Sequence, residues 1–350
     1  MRGSAIAMLV IAALAAATGV QAQTRLMTYE GVWGDAIEAA LPAEAGTPAV
    51  SILRYEGSLA ALNKDDADLL DAETDAADII CDQGPALPVP PVFWKQTEAE
   101  THLLPGTAHD CGTGYLVTSL LLASAGAGPR DWAGFFDGEA FSGTRALPRG
   151  ARGTLEIALM GDGVPVGDVY ALLATEAGTT QAFDALDKLA AQTQIIFWDR
   201  PADLAALMGS GSVEAAAMPN VQAALMSQDR AAAEHVSLHF HGQVYRIQRL
   251  LLLAGTAGQA DALAVMQRVL SPRTQAALAL SLMAGPVNLD AYRQLPKDHA
   301  ALLPTAPAHR ISDTGLEEDA DFWAEHGPRL TERFHDWLAA YEGRERQGAQ

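Results

Sequence analysis

Three histidines that lie close together, His235, His239 and His241, are residues whose type and spacing could do chemistry. On an extended segment His239 and His241 share a face, and with His235 nearby they could hold a divalent metal. No cysteine or paired carboxylate accompanies them, and ordinary polar positions are the commoner use of such residues. Other catalytic wording is missing: there is no Gly-x-Ser-x-Gly elbow and no His-Glu-x-x-His, and Gly161, Gly163 and Gly167 have the wrong spacing for a dinucleotide loop. An enzyme needs a nucleophile, a metal or paired acids where water is controlled. The reading is therefore a protein that is not an enzyme, with no cofactor and no bound metal.

Binding is better supplied. Tyr29, Trp33, Tyr55, Trp198 and Tyr245 are aromatics that could stack on a ligand or hold a cation over a ring face. Glu30, Asp82 and Asp199 could neutralise ammonium groups. Each has a plainer use, Trp198 as core and Asp82 as a cap after Cys81. They gain weight as a set because they fall at the ends of expected strands.

Those strands come from the alternation of apolar runs with helical spacing. Strands are expected over 25–29, 49–53, 76–80, 116–122, 195–198, 213–218, 235–245 and 246–254. Helices are expected over 35–41, 59–63 (capped by Ser58), 66–71, 180–191, 201–208, 260–270 and 272–282, with 94–109 irregular. An aromatic helix near Trp132 precedes a turn, an extended segment and an apolar helix that stops at Gly161-Asp162-Gly163. Strands alternating with helices imply a mostly parallel sheet, whose ligands sit beyond the carboxyl ends of its strands. The turns 29–33, 55–58 and 82–84 are the places to look.

The 350 residues are 49% apolar and 19% charged, enough for two core-bearing lobes. Arg2, the apolar run 5–17 and Val20-Gln21-Ala22 read as a secretory signal peptide over 1–22, cleaved after Ala22. The net charge of −20 argues against nucleic acid and anionic membranes, and removing Arg2 makes it one unit more negative. Cys81 and Cys111 are the two cysteines. An even count in an oxidising compartment suggests one disulfide, with Cα atoms ~5.5–6 Å apart, against two buried free thiols.

Longer runs carry a resemblance. Asp131-Trp132-Ala133-Gly134-Phe135-Phe136-Asp137 is followed by Phe141-Ser142-Gly143-Thr144-Arg145-Ala146-Leu147, then by Leu155 to Val164. Leu104-Pro105-Gly106 precedes Asp110-Cys111-Gly112-Thr113-Gly114, and Gly285-Pro286-Val287-Asn288 and Arg333-Phe334-His335-Asp336-Trp337-Leu338 come later. This wording resembles solute-binding proteins of the spermidine/putrescine type, the capture subunits of ABC importers. It covers nearly the whole chain after the signal. Departures fall at Met218, Pro219 and Gln222 around Asn220, and at Phe240-His241-Gly242 before Gln243.

The resemblance implies an α/β, two-lobed type II periplasmic binding protein fold, with mixed sheets flanked by helices and a two-strand hinge near 116–118 and 241–245. Lobe I would hold 23–117 and 243–350, and lobe II 118–242. Gly112 and Gly114 would either turn backbone N–H groups to the cleft or make a tight strand entry. With Ser58, Thr113, Tyr115, Asn220 and Gln243, the aromatics and acids named above complete the expected ligand set. The implied partners are a polyamine-like cation and a membrane ABC permease, with the protein monomeric in the periplasm.

Overall fold

The computed structural model describes residues 23–56, 67–82, 86–100, 102–228, 235–256 and 258–348. The expected signal segment, the helix 59–63 and Ser58 lie outside the described residues. The strands in chain order are β1 (Thr24–Tyr29), β2 (Val50–Tyr55), β3 (Leu69–Ala72), β4 (Ala108–His109), β5 (Gly112–Ala125) and β6 (Arg145–Pro148). They continue with β7 (Ile195–Trp198), β8 (Ala215–Pro219), β9 (Val236–Leu252), β10 (Gly285–Pro286) and β11 (Leu316–Glu317). Among the described residues they form one mixed sheet in the order β2-β1-β3-β9-β5-β8-β6-β7, with β4 and β10 on β5 and β11 on β9.

The long antiparallel pair β5/β9 is the spine. One end of β9 pairs with β3 through 249–252, and one end of β5 pairs with β8 through 120–124. Each half of the sheet therefore hangs from the same two strands. The two strands expected over 235–245 and 246–254 are one, β9, and the glycine inside the first of them is absorbed as a bulge. Leu122 faces His239 and Leu120 faces Val244, five steps on β9 against two on β5. Gly242 makes the bend at φ 71°, a conformation that favours glycine. Trp132 Nε1–H donates to its carbonyl at 2.7 Å, which pins the bend. Gly112 and Gly114 are tight-packing positions, since a Cβ there would lie 2.5 Å from Leu250 O and from Ile247 Cγ2 on β9.

Two stretches differ from the sequence reading. The helix expected over 66–71 is in fact β3, and the strand expected over 76–80 is part of the helix Thr74–Asp82. The apolar run 76–80 is helical in its spacing: Thr74, Ala77 and Ile80 are buried at every third residue while Ile79 is exposed. Leu69-Leu70-Asp71-Ala72 is buried on both faces, as a central strand must be. A helix Pro91–Glu100 also occupies a stretch expected to be irregular.

The core is divided. Leu26, Leu69, Leu116, Ile247 and Met266 belong to one cluster, and Phe135, Leu155, Leu186 and Phe197 to another. The carboxyl-terminal helix Ala320–Gly348 packs Trp323, Leu330, Phe334, Leu338 and Tyr341 into the second cluster. Arg145 is fully buried there. Its guanidinium donates to the carbonyls of Phe135 (2.8 Å), Phe141 (2.5 Å) and Gly143, and lies over the Phe141 ring at 4.6 Å.

Candidate functional site

Strands β6, β7 and β8 run parallel, and their carboxyl ends, Pro148, Trp198 and Pro219, all open onto the middle of the β5/β9 spine. There they enclose a cavity of about 360 Å³, within the range of small-molecule sites. Thr118, Ser119 and Leu120 of β5 face Val244 and Arg246 of β9 to form its floor. Two larger recesses are more open: one runs along the helix residues 176–188 beside Asp162, and the other lies between 236–241 and 301–314, with Arg130 and Ser227 at its border.

The local chain explains how charge reaches this cavity. After β6 the helix Ala151–Gly161 does not begin cleanly: Arg152 is extended at ψ 131° and Gly153 sits at φ 80°. The kink releases Arg152 from the helix and sends its side chain to Glu318 at 3.1 Å and to Asp75. Glu156 Oε2 accepts from the Gly153 N–H at 2.8 Å and so caps the turn. A Cβ at Gly153 would be strained and would crowd Leu120.

Glu318 is delivered by β11, which pairs in parallel with Val244–Tyr245. Its backbone N–H donates to Tyr245 O at 2.8 Å. Arg246 Nη2 then donates to the Glu318 carboxylate at 2.8 Å, and Glu73 lies 3.9 Å from the same guanidinium. The Glu318 side chain is only 4% exposed. Burial pushes its carboxyl above the ordinary range, against the pull of Arg246 and Arg152. Burial opposes the charge on Arg246 as well, but Glu318, Glu73 and Asp75 outweigh it and leave the guanidinium more basic than usual. The result is two cations converging on one nearly dry carboxylate at the edge of an open cavity.

Two neutral groups complete the wall. Asn220, at the start of helix Asn220–Gln228, accepts from Ser119 N–H at 2.8 Å and donates to Met283 O at 2.6 Å. The Ser119 side chain is buried, 7% exposed, and its hydroxyl has no hydrogen-bond partner among the described residues. A buried hydroxyl left without a partner is costly, and this one borders the cavity.

Of the residues expected to meet a ligand, Trp198 and Asn220 line the cavity. Tyr245 lies between two lining residues, but its hydroxyl donates to Glu317 at 3.3 Å. Tyr29 and Tyr55 end adjacent parallel strands with ring centroids 4.9 Å apart, and Tyr29 OH accepts from Glu73 N–H. Trp33 and Tyr115 are committed to Asp71, which also accepts from Thr28 and Gln248; burial pushes its carboxyl up to about 6. Thr113 and Gln243 are buried, donating to the carbonyls of Gly114 and Pro304. Asp199 pairs with Arg149 at 3.2 Å, and Glu30 is exposed. Asp82 is exposed at a helix end, not at the strand end expected for it. His239 sits with Ser124 at 3.1 Å, and the His, Cys and acidic side chains close enough together among the described residues to reach one metal ion are Cys81, His109 and Cys111, not the three histidines first considered.

Arg152, Arg246, Glu318 and Ser119 were missed. Arg246 could have been found as a charge set between the apolar Val244-Tyr245 and Ile247 of an expected strand, where an ion needs a partner, though Arg249 three residues on gives the same signal. Glu318 gave no local signal, because β11 is two residues long.

The family model for bacterial extracellular solute-binding proteins matches residues 10–305. The chain belongs to that family. Members bind solutes rather than transform them, which agrees with the absence of catalytic wording. The spermidine/putrescine subfamily is a finer division than this match reaches. The gamma-aminobutyric acid-binding protein of Pseudomonas aeruginosa is 32% identical over 240 residues, 67% of this chain and 66% of its own length, just under two thirds. Solved structures share the fold. AttC of Agrobacterium tumefaciens C58, open and unliganded, superposes with TM-score 0.73 at 20% identity, over 90% of this chain and 99% of its own. A GABA receptor structure gives 0.71 at 22% identity, over 90% and 97%. The binding protein MotA from A. tumefaciens B6, in complex with glucopine, gives 0.66 at 21% identity, over 90% and 99%. The architecture is thus the type II periplasmic binding protein fold, a mixed α/β sheet flanked by helices.

Proposed function

We propose that this solute-binding protein captures a small zwitterion, a molecule carrying one carboxylate and one ammonium, and presents it to a membrane ABC transporter. The observation that carries the reading is the convergence of Arg152 and Arg246 on Glu318 beside the unpartnered Ser119 hydroxyl. A ligand carboxylate would take guanidinium N–H groups and the Ser119 O–H, helped by the amino end of helix Asn220–Gln228. The ammonium would recover its lost hydration from Glu318, with Glu73 nearby, and from the face of Trp198. A relative that binds gamma-aminobutyric acid supports this class.

The polyamine-like cation expected from the sequence uses this cavity less fully, since its ammoniums could pair with Glu318 and Glu73 but it brings no anion for the Arg152 and Arg246 guanidinium groups or the Ser119 hydroxyl. On this reading residues 23–117 and 243–319 move against 118–242 about β5 and β9, and helix Ala320–Gly348 travels with the second body because it shares that core. Calorimetry of the purified protein against gamma-aminobutyrate, putrescine, spermidine and neutral amides tests the ligand class. The ω-amino acid should bind tightest. A diamine that binds tighter would overturn the zwitterion while leaving solute capture standing.

A further inference from the structure

A second constellation lies outside the cleft cavity, where helix Thr74–Asp82 meets the hairpin joining β4 to β5. Cys81 and Cys111 are bridged there, with Cα atoms 5.9 Å apart, inside the range expected from the sequence. Between them stands His109, paired with Gly112 across the hairpin. Its Nδ1 is 3.5 Å from Cys81 Sγ and 3.5 Å from Cys111 Sγ, and its Nε2 is 3.1 Å from Asp78 Oδ1. An ionised carboxylate can only accept. Nε2–H therefore donates to Asp78, and in the neutral ring it is the Nδ1 lone pair that faces the two sulfurs.

That spacing is the spacing of a metal site with one edge missing. Tetrahedral zinc, with Zn–S about 2.3 Å and Zn–N about 2.0–2.1 Å, has N···S edges of about 3.5 Å and an S···S edge of about 3.8 Å. Both N···S edges are already in place. The third forms once the S–S bond opens and the sulfurs part, which side-chain rotation at Cys81 and Cys111 supplies. Cys111 is buried while Cys81 and His109 are only partly so, leaving a fourth position that water can reach.

We propose that the reduced protein binds one zinc ion through Cys81 Sγ, Cys111 Sγ and His109 Nδ1, with Asp78 orienting the imidazole. Carboxylate–histidine–zinc arrays of this kind fix the tautomer and raise the ligand's basicity. The redox step balances with a dithiol as electron donor: it gives two electrons and two protons, becomes a disulfide, and leaves two thiols. Each thiol loses its proton as zinc binds. Disulfide and metal are then alternative staples for the same joint between helix and hairpin. The link persists in either redox state.

The full chain, reduced with a phosphine and compared with the oxidised protein, decides this. The reduced protein should take up one zinc per chain with release of two protons, show thiolate-to-metal charge transfer with cadmium, and melt at a higher temperature with zinc. The oxidised protein should do none of these. Asp78→Asn should weaken zinc binding about 10–100-fold, and His109→Ala should weaken it further. Both variants keep the disulfide, so their folding is checked by circular dichroism before reduction. Equal zinc uptake in the two redox states would overturn the proposal, as would His109→Ala binding zinc as tightly as the parent. So would a reduced chain that unfolds and is not restored by zinc.

Discussion

Arg246 Nη2 lies 2.8 Å from a Glu318 carboxylate that solvent scarcely touches. The Arg246 side chain is 40% exposed, so the asymmetry matters: removing Arg246 leaves the Glu318 charge buried without its nearest partner, which costs more than the pair itself contributes.

Arg246→Met should therefore do two things. Glu318 should hold its proton to higher pH, since burial already pushes it up and its main counter-charge would be gone. Binding of a carboxylate-bearing ligand should weaken by roughly 1–2 kcal/mol, less than for a fully buried charge pair because the Arg246 side chain is 40% exposed and solvent screens it. Calorimetry measures both, through affinity and proton uptake on binding. Unchanged affinity would remove this arginine from the ligand's surroundings.

Stability should fall as pH rises through the weakly acid range. Burial pushes the Glu156 carboxyl up to about 7 from 4.5, with neighbouring Glu318 adding to it, and Asp71 up to about 6 from 3.8. Between the lower and upper values the folded chain keeps protons that the unfolded chain has released. The folded state is therefore favoured below the lower value and loses that advantage until the upper value is passed. For Glu156 the loss is on the order of 3 kcal/mol. Urea unfolding at a series of pH values should show the decline, and Glu156→Gln should flatten it. The slope is the readout, because the amide also disturbs the Gly153 and Trp323 donors. A variant with the parent's slope would assign the effect elsewhere.

Arg145 was legible in the sequence only as one letter in a family run, and the structure gives it a reason. Three of the carbonyls that it meets belong to the turn and helix end it closes, Phe135, Phe141 and Gly143. A planar fork can reach all of them and still lie on the Phe141 ring, whereas an ammonium cannot. Arg145→Lys should destabilise the fold by about 3 kcal/mol or more, as expected when buried acceptors lose their donors. Thermal melts compare the two, and a change below about 1 kcal/mol would show that the cage is dispensable.

Most of the fold was readable because its signals are local. The helix expected over 272–282 was found at Pro272–Leu282, where Pro follows the Ser271 cap, and the strand 195–198 was found as β7. The failure over 66–82 has a physical cause: five apolar-leaning residues fit a buried strand or one face of a short helix equally well. The cleft was harder still. Trp198 and Asn220 announce themselves at strand ends, but Glu318 reaches Arg246 only through the pairing of β11 with β9, 72 residues apart in sequence. No periodicity encodes that contact.

Closure of the cleft should be visible through a single pair. Asp75 begins the helix that follows β3, Arg152 follows β6, and their ion pair crosses between the two halves of the sheet. It can form only while the halves are close. Both side chains are partly exposed, 42% and 29%, so the pair should contribute about 1 kcal/mol or less. That is still roughly a five-fold bias between closed and open forms. Asp75→Asn should therefore enlarge the radius of gyration of the unliganded protein in small-angle scattering. It should also weaken ligand binding no more than about five-fold, because the ligand's own contacts draw the halves together. Saturating ligand should bring parent and variant to the same compact value. If ligand leaves the radius of the parent unchanged, β5 and β9 are not a hinge and the Arg152–Asp75 pair is simply part of a rigid wall.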